Sequence, residues 1–192
     1  MCFAKKYWIT EEHRWNLHVT PQMLVAVSIF IITLPIVWLS AWFVAVSVHE
    51  MCHLIAVYLC GKHIYRVSID VCGAKIETEP LTNGQTLLCT LAGPVGGLLL
   101  LPFRCYYPQL AICAFVQSIF NLLPIYPLDG GRILSTMLQM VFQEKVAEKI
   151  SDIIAFVVVL LLSLFFAVIS FLLKTIFPMA IILMILLQQG RK

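Results

Sequence analysis

From Pro21 to Cys60 the chain is apolar for forty positions, interrupted only by His49, Glu50 and His53 as polar ionisable groups. A membrane-spanning helix needs about 20 apolar residues. The stretch is therefore too long for one span and right for two, with a tight reversal between Leu34-Pro35 and Ser40. A third apolar stretch runs from Leu87 to Phe103, and a fourth from Leu110 to about Leu128. A fifth, Ile153 to Leu173, carries no charge, and a shorter sixth runs from Thr175 to Leu187. Between the second and third stretches the period changes. His63 to Val71 alternates polar and apolar side chains, and Gly73 precedes a second run, Ala74 to Glu79. Period-two alternation broken by a glycine predicts a β-hairpin, with an ordinary charged loop as the alternative. The predicted fold is an all-α membrane protein, a bundle of about six transmembrane helices with a small membrane-associated hairpin at the cytoplasmic face.

Composition sharpens this picture. Hydrophobic residues are 61% and charged residues 12% of the 192 positions, against roughly 45–50% and 25% in soluble proteins. Mean hydropathy is +0.95. Such a chain cannot cover a water-soluble globule with polar surface, which disfavours a soluble enzyme, a disordered tail and a nucleic-acid binder. The length predicts a single membrane-embedded domain over 1–192. The first twenty residues are mixed and charged, which disfavours a signal peptide. The net charge of +3 carries no preference for an acidic partner, but the placement of Lys and Arg orients the spans. With six spans, Lys5, Lys6, Arg14, Lys62, Arg66, Lys75, Arg132, Lys145, Lys149, Arg191 and Lys192 fall on one side, leaving Arg104 and Lys174 on the other. Both termini are therefore predicted to be cytoplasmic.

The few polar residues at membrane depth carry the candidate chemistry, since ionisable side chains in a span are costly and functional by default. His49-Glu50-Met51-Cys52-His53 is an H-E-x-x-H pattern. Residues four apart share one helix face, so both imidazoles can address one metal ion while Glu50 sits beside it as a base. Zinc suits two neutral imidazoles and a carboxylate, leaving a fourth position for water. It lowers the pKa of that water from 15.7 to about 7. The bland alternative is a polar patch that helps helices pack. For a third ligand, Asp129 closes the run Asn121-Leu122-Leu123-Pro124-Ile125-Tyr126-Pro127-Leu128-Asp129. Pro124 and Pro127 forbid a regular helix there, and irregular backbone at membrane depth lies only against protein or a water-filled cavity. Asp129 is alternatively an N-cap for a helix over 130–142.

H-E-x-x-H in an early span, with N-x-x-P-x-x-P-L-D-G in a later one, resembles the site-2 protease family of intramembrane zinc metalloproteases. Residues 121–132 most resemble the branch containing the stage IV sporulation protease, and Ala92-Gly93-Pro94 matches the family's small-residue signature. The similarity covers roughly 20–135, the expected catalytic core. It implies that His49, His53 and Asp129 bind one Zn2+ per chain. It also implies that Glu50 is the general base and acid, and that Asn121 contacts substrate or steadies the tetrahedral intermediate. The hairpin resembles the family's membrane-associated sheet, which takes up an extended substrate strand. The implied partners are the lipid bilayer and a single-pass or membrane-associated protein substrate, with room for a regulatory membrane partner and none for nucleic acid. The implied location is a bacterial cell membrane. No PDZ domain is expected between His53 and Asn121, and no CBS domain after the last span.

The seven cysteines form no C-x-x-C pair and read as free thiols used as small hydrophobes. Cys52 lies on the wrong face to join His49 and His53. Gly93, Gly96 and Gly97 are predicted to let spans approach closely. Two other functions compete with proteolysis, namely metal transport and a catalytically inert scaffold of the same family. Transport has no need of Glu50, and the intact set of His49, Glu50, His53 and Asp129 speaks against inertness.

Overall fold

The computed structural model describes residues 17–19, 28, 31, 33–70 and 73–173. Helix α1 (Ile36–Leu59) starts directly after Pro35, so residues 36–40 of the predicted reversal are helical instead. At about 1.5 Å per residue its 24 residues rise about 36 Å, enough to cross a hydrocarbon core about 30 Å thick. It ends at Cys60 because Gly61 takes φ +67°, a left-handed conformation that suits glycine at a helix terminus.

The hairpin forms as predicted. Strands β2 (Ile64–Asp70) and β3 (Gly73–Thr78) pair antiparallel, with a register shift between Ile64 and Arg66. A third strand, β1 (Leu17–Val19), adds in parallel to the other side of β2, in the order β1-β2-β3. No alternation announces it. Three residues have too short a pattern to read, and their partners lie some fifty positions away.

Helix α2 (Asn83–Leu98) opens on a capping box, in which the Thr82 hydroxyl accepts from the Gln85 N–H and the Gln85 side chain accepts from the Thr82 N–H. A 3-10 turn, Leu101–Cys105, follows it. Helix α3 (Pro108–Asn121) has only 14 residues, about 21 Å. The predicted break then appears, as residues 122–128 are irregular around Pro124 and Pro127. Helices α4 (Asp129–Val141) and α5 (Glu144–Leu173) complete the described chain. The last begins nine residues before the apolar stretch does, its first turns carrying Lys145, Glu148 and Lys149.

The span count differs from the sequence reading. Among the described residues three helical segments are long and apolar enough to cross a membrane: Ile36–Leu59, Asn83–Cys105 and Glu144–Leu172. The fourth predicted span is divided between the short α3 and the irregular segment, because two prolines end the helix. Most of the first predicted span, and all of the sixth, lie outside the described residues, as do the charged ends used to orient the chain.

Packing centres on α1. Its buried residues, Ala41, Ala45, His49, His53 and Val57, recur every four positions and form one stripe. Ala41 and Ala45 pack with Leu110 and Ala114 of α3, where small side chains let the backbones close. The Tyr107 hydroxyl donates to the Val37 carbonyl at 2.7 Å, fixing the start of α3 to the first turn of α1. A second cluster, Ile125, Leu128 and Val159, fastens the irregular segment onto α5.

Candidate metal centre

The stripe of α1 turns polar where it meets α2 and the start of α4. His49 and His53 stand one turn apart, their rings edge-on with centroids 4.8 Å apart. Both are buried, at 2% and 9% exposure. Space for them comes from α2. A Cβ on Gly93 would collide with the His53 ring and with His49 Nε2, so only glycine fits there. Gly96 stands likewise against the Cys52 side chain, and Gly97 against Ser118. Both confirm the predicted close approach, and the first places Cys52 in a helix contact.

His53 Nδ1 lies 2.7 Å from the Cys89 carbonyl oxygen. A carbonyl only accepts, so Nδ1 carries the proton and donates, leaving the Nε2 lone pair free. That lone pair faces two other candidate ligand atoms. His53 Nε2 is 3.2 Å from His49 Nε2 and 3.2 Å from Asp129 Oδ2, and His49 Nε2 is 3.1 Å from the same oxygen. A proton on one nitrogen serves one of these contacts at a time, whereas a cation serves all three. With bonds of about 2.0–2.1 Å in tetrahedral geometry, zinc ligand atoms stand about 3.3 Å apart. The near-equilateral triangle fits that requirement, and His49, His53 and Asp129 form a group that could hold a metal ion.

Asp129 arrives there through tight backbone packing. It is the first residue of α4 and not its cap; Leu128 occupies the N-cap position, without a side-chain cap bond. The alternative predicted from sequence, Asp129 as N-cap, is therefore not what forms. Gly130 abuts the Leu122 and Leu123 carbonyls, and Gly131 abuts the backbone of Ile125 and Tyr126. Two consecutive glycines let the irregular segment fold back over the start of α4 and set the carboxylate toward α1. Asn121, the last residue of α3, brings its Nδ2 to 3.4 Å from His49 Nε2. Glu50 follows His49 on α1, about 100° further round the helix, and is half-buried.

The sequence reading brought these five residues together but missed the Cys89 carbonyl. A backbone acceptor leaves no mark in residue type, and Cys89 reads as one more small hydrophobe.

Comparison with known proteins adds the family. Residues 81–165 match the model of peptidase family M50. The fold matches the site-2 protease from Methanocaldococcus jannaschii with a TM-score of 0.67, at 20% identity, over 95% of this chain and 93% of that one. The family model thus matches under half of the chain, and the structural likeness establishes the fold. No curated protein sequence matches it. The stretch matched by the family model holds Asn121 and Asp129, while His49, Glu50 and His53 lie outside it on α1. The candidate metal group is thus joined across that boundary by folding, when α1 docks on α2 at Gly93. The three apolar helices long enough to span, together with the likeness of fold, support a membrane protein.

Proposed function

We propose that the chain is an intramembrane zinc metalloprotease that hydrolyses peptide bonds of single-pass or membrane-associated proteins, with His49, His53 and Asp129 as zinc ligands. The observation that carries this reading is the triangle of Nε2, Nε2 and Oδ2 atoms, 3.1–3.2 Å on a side and buried between helices. Bound zinc supplies Lewis acidity toward the scissile carbonyl and toward a water molecule. The protein's own residues do the remainder. Cys89 and Gly93 fix the His53 ring, the first by hydrogen bond and the second by contact. Glu50 takes the proton from the attacking water and returns it to the departing amine. The Asn121 amide, at the edge of the triangle, holds the substrate carbonyl or the oxyanion that develops from it. A helical substrate must unwind before its carbonyl can reach this depth, and an edge of the small sheet that pairs with no further strand among the described residues offers an extended strand somewhere to pair. The likeness to the sporulation branch rests on residues 121–132 alone, and the substrate is accordingly given by class.

Glu50→Gln tests the mechanism. General acid–base catalysis contributes about 10²–10⁴-fold, and the variant should lose that much cleavage of a co-expressed membrane substrate while elemental analysis finds its zinc unchanged. Full activity in Glu50→Gln would falsify the assignment. Saturable zinc flux across vesicles with no cleavage would favour transport instead.

A further inference from the structure

The residue that supplies the acceptor for His53 also carries a thiol, and that thiol is paired. Cys89 Sγ lies 3.8 Å from Cys60 Sγ. Cys60 caps the C-terminal end of α1, about two turns beyond His53, and Cys89 lies in the second turn of α2. Cys60 is half-buried and reachable from outside, whereas Cys89 is buried, at 6% exposure. No role in the proposed hydrolysis uses either sulfur.

We propose that Cys60 and Cys89 are an oxidisable pair whose disulfide disturbs the metal centre through the Cys89 carbonyl; this rests on the assignment of His53 as a zinc ligand. The oxidant class is a peroxide. It oxidises the Cys60 thiol to a sulfenic acid and is itself reduced, leaving one water from hydrogen peroxide. The Cys89 sulfur then attacks the Cys60 sulfur, the S–S bond forms, and the sulfenic oxygen departs as a second water with the remaining thiol proton. An external dithiol reverses the step by exchange. The mechanical consequence follows from the bonds already described. The sulfurs must close from 3.8 Å to about 2.0 Å, which ties the second turn of α2 to the end of α1. The carbonyl of the same residue holds His53 Nδ1 at 2.7 Å, with little slack. Oxidation thus moves the group that fixes the tautomer and aim of a ligand ring, and such outer partners are worth about 10–100-fold in metal affinity or activity.

The test uses the full-length protein in detergent, treated with hydrogen peroxide and then with dithiothreitol. Peptide mass spectrometry should find Cys60 joined to Cys89. Zinc loss to a chelator should quicken by about 10–100-fold and reverse on reduction, and cleavage should fall in step. Cys60→Ala should retain basal cleavage and show neither response, while Cys105→Ala, which removes an exposed thiol elsewhere, should respond like the unmodified chain. The proposal fails if the joined peptide forms with zinc release unchanged, or if peroxide oxidises Cys105 and leaves Cys60 and Cys89 unlinked. Zinc release and the joined peptide are read without any substrate, so absence of cleavage before oxidation counts against the protease reading alone.

Discussion

Helices α1 and α5 are both long and apolar, yet they are built for different surroundings. The inward stripe of α1 is alanine, alanine, histidine, histidine, valine, and its neighbours meet it with glycines and small side chains. Large side chains on α5 point away from the protein instead; Phe156, Leu164 and Phe171 are 64%, 63% and 83% exposed. Both are apolar enough to cross a membrane. What separates them is the neighbour, because lipid accepts any bulky apolar face whereas a polar group at membrane depth must be enclosed by close-packed backbone. The catalytic reading of α1 thus depends on small residues in α2 and α4 as much as on the histidines themselves.

The strongest way to break that comparison is to remove the proposed ligand that reaches α1 from α4. Asp129→Ala should lower zinc content below stoichiometric and cut cleavage by more than the roughly 10–100-fold that outer-shell changes cost. Unchanged zinc in Asp129→Ala would remove the carboxylate from the site and leave α1 with two imidazoles. Next in size is the enclosure. Gly93→Ala adds one methyl group against both imidazoles, and we expect zinc affinity and cleavage to drop by about 10–100-fold while the protein still folds. Asn121→Ala should separate chemistry from metal binding. Its zinc should stay, since the amide is 3.4 Å from His49 and offers no ligand atom to the triangle. Its kcat should drop by about 10²-fold, the low end for loss of an oxyanion donor.

Much of the site was legible because membrane depth makes polar residues scarce. His49 and His53 declare themselves by a spacing of four on a helix, and the prolines at 124 and 127 mark the break that delivers Asp129. That break makes Asp129 a candidate third ligand, but only the resemblance pairs it with those histidines, because contacts between positions 80 apart leave no periodic trace. The paired strands were legible from alternation and Gly73. Strand β1 was not, since its placement is decided by a partner and not by its own residues. The early start of α5 was missed because its first turns are charged, and a hydropathy pattern sees a helix only where it is apolar. The Cys89 carbonyl was hidden for a simpler reason: every residue has one.

The smallest predicted effect lies on α5 and tests the other half of the comparison. Leu164→Ala removes a large side chain that is 63% exposed. Lipid or detergent fills the space, and the change in unfolding free energy should stay within about 0.5 kcal/mol. Val159, five residues earlier on the same helix, is 5% exposed and packs on Ile125 and Leu128. Val159→Ala deletes fewer atoms but leaves a void against the segment that positions Asp129, and tightly packed interiors do not collapse to fill such voids. It should therefore cost more stability than Leu164→Ala, by about 1 kcal/mol, and should release zinc faster in a chelator competition. Equal behaviour of the two variants would mean that α5 does not brace the irregular segment. The enclosure of the metal centre would then belong to α1, α2 and α4 alone.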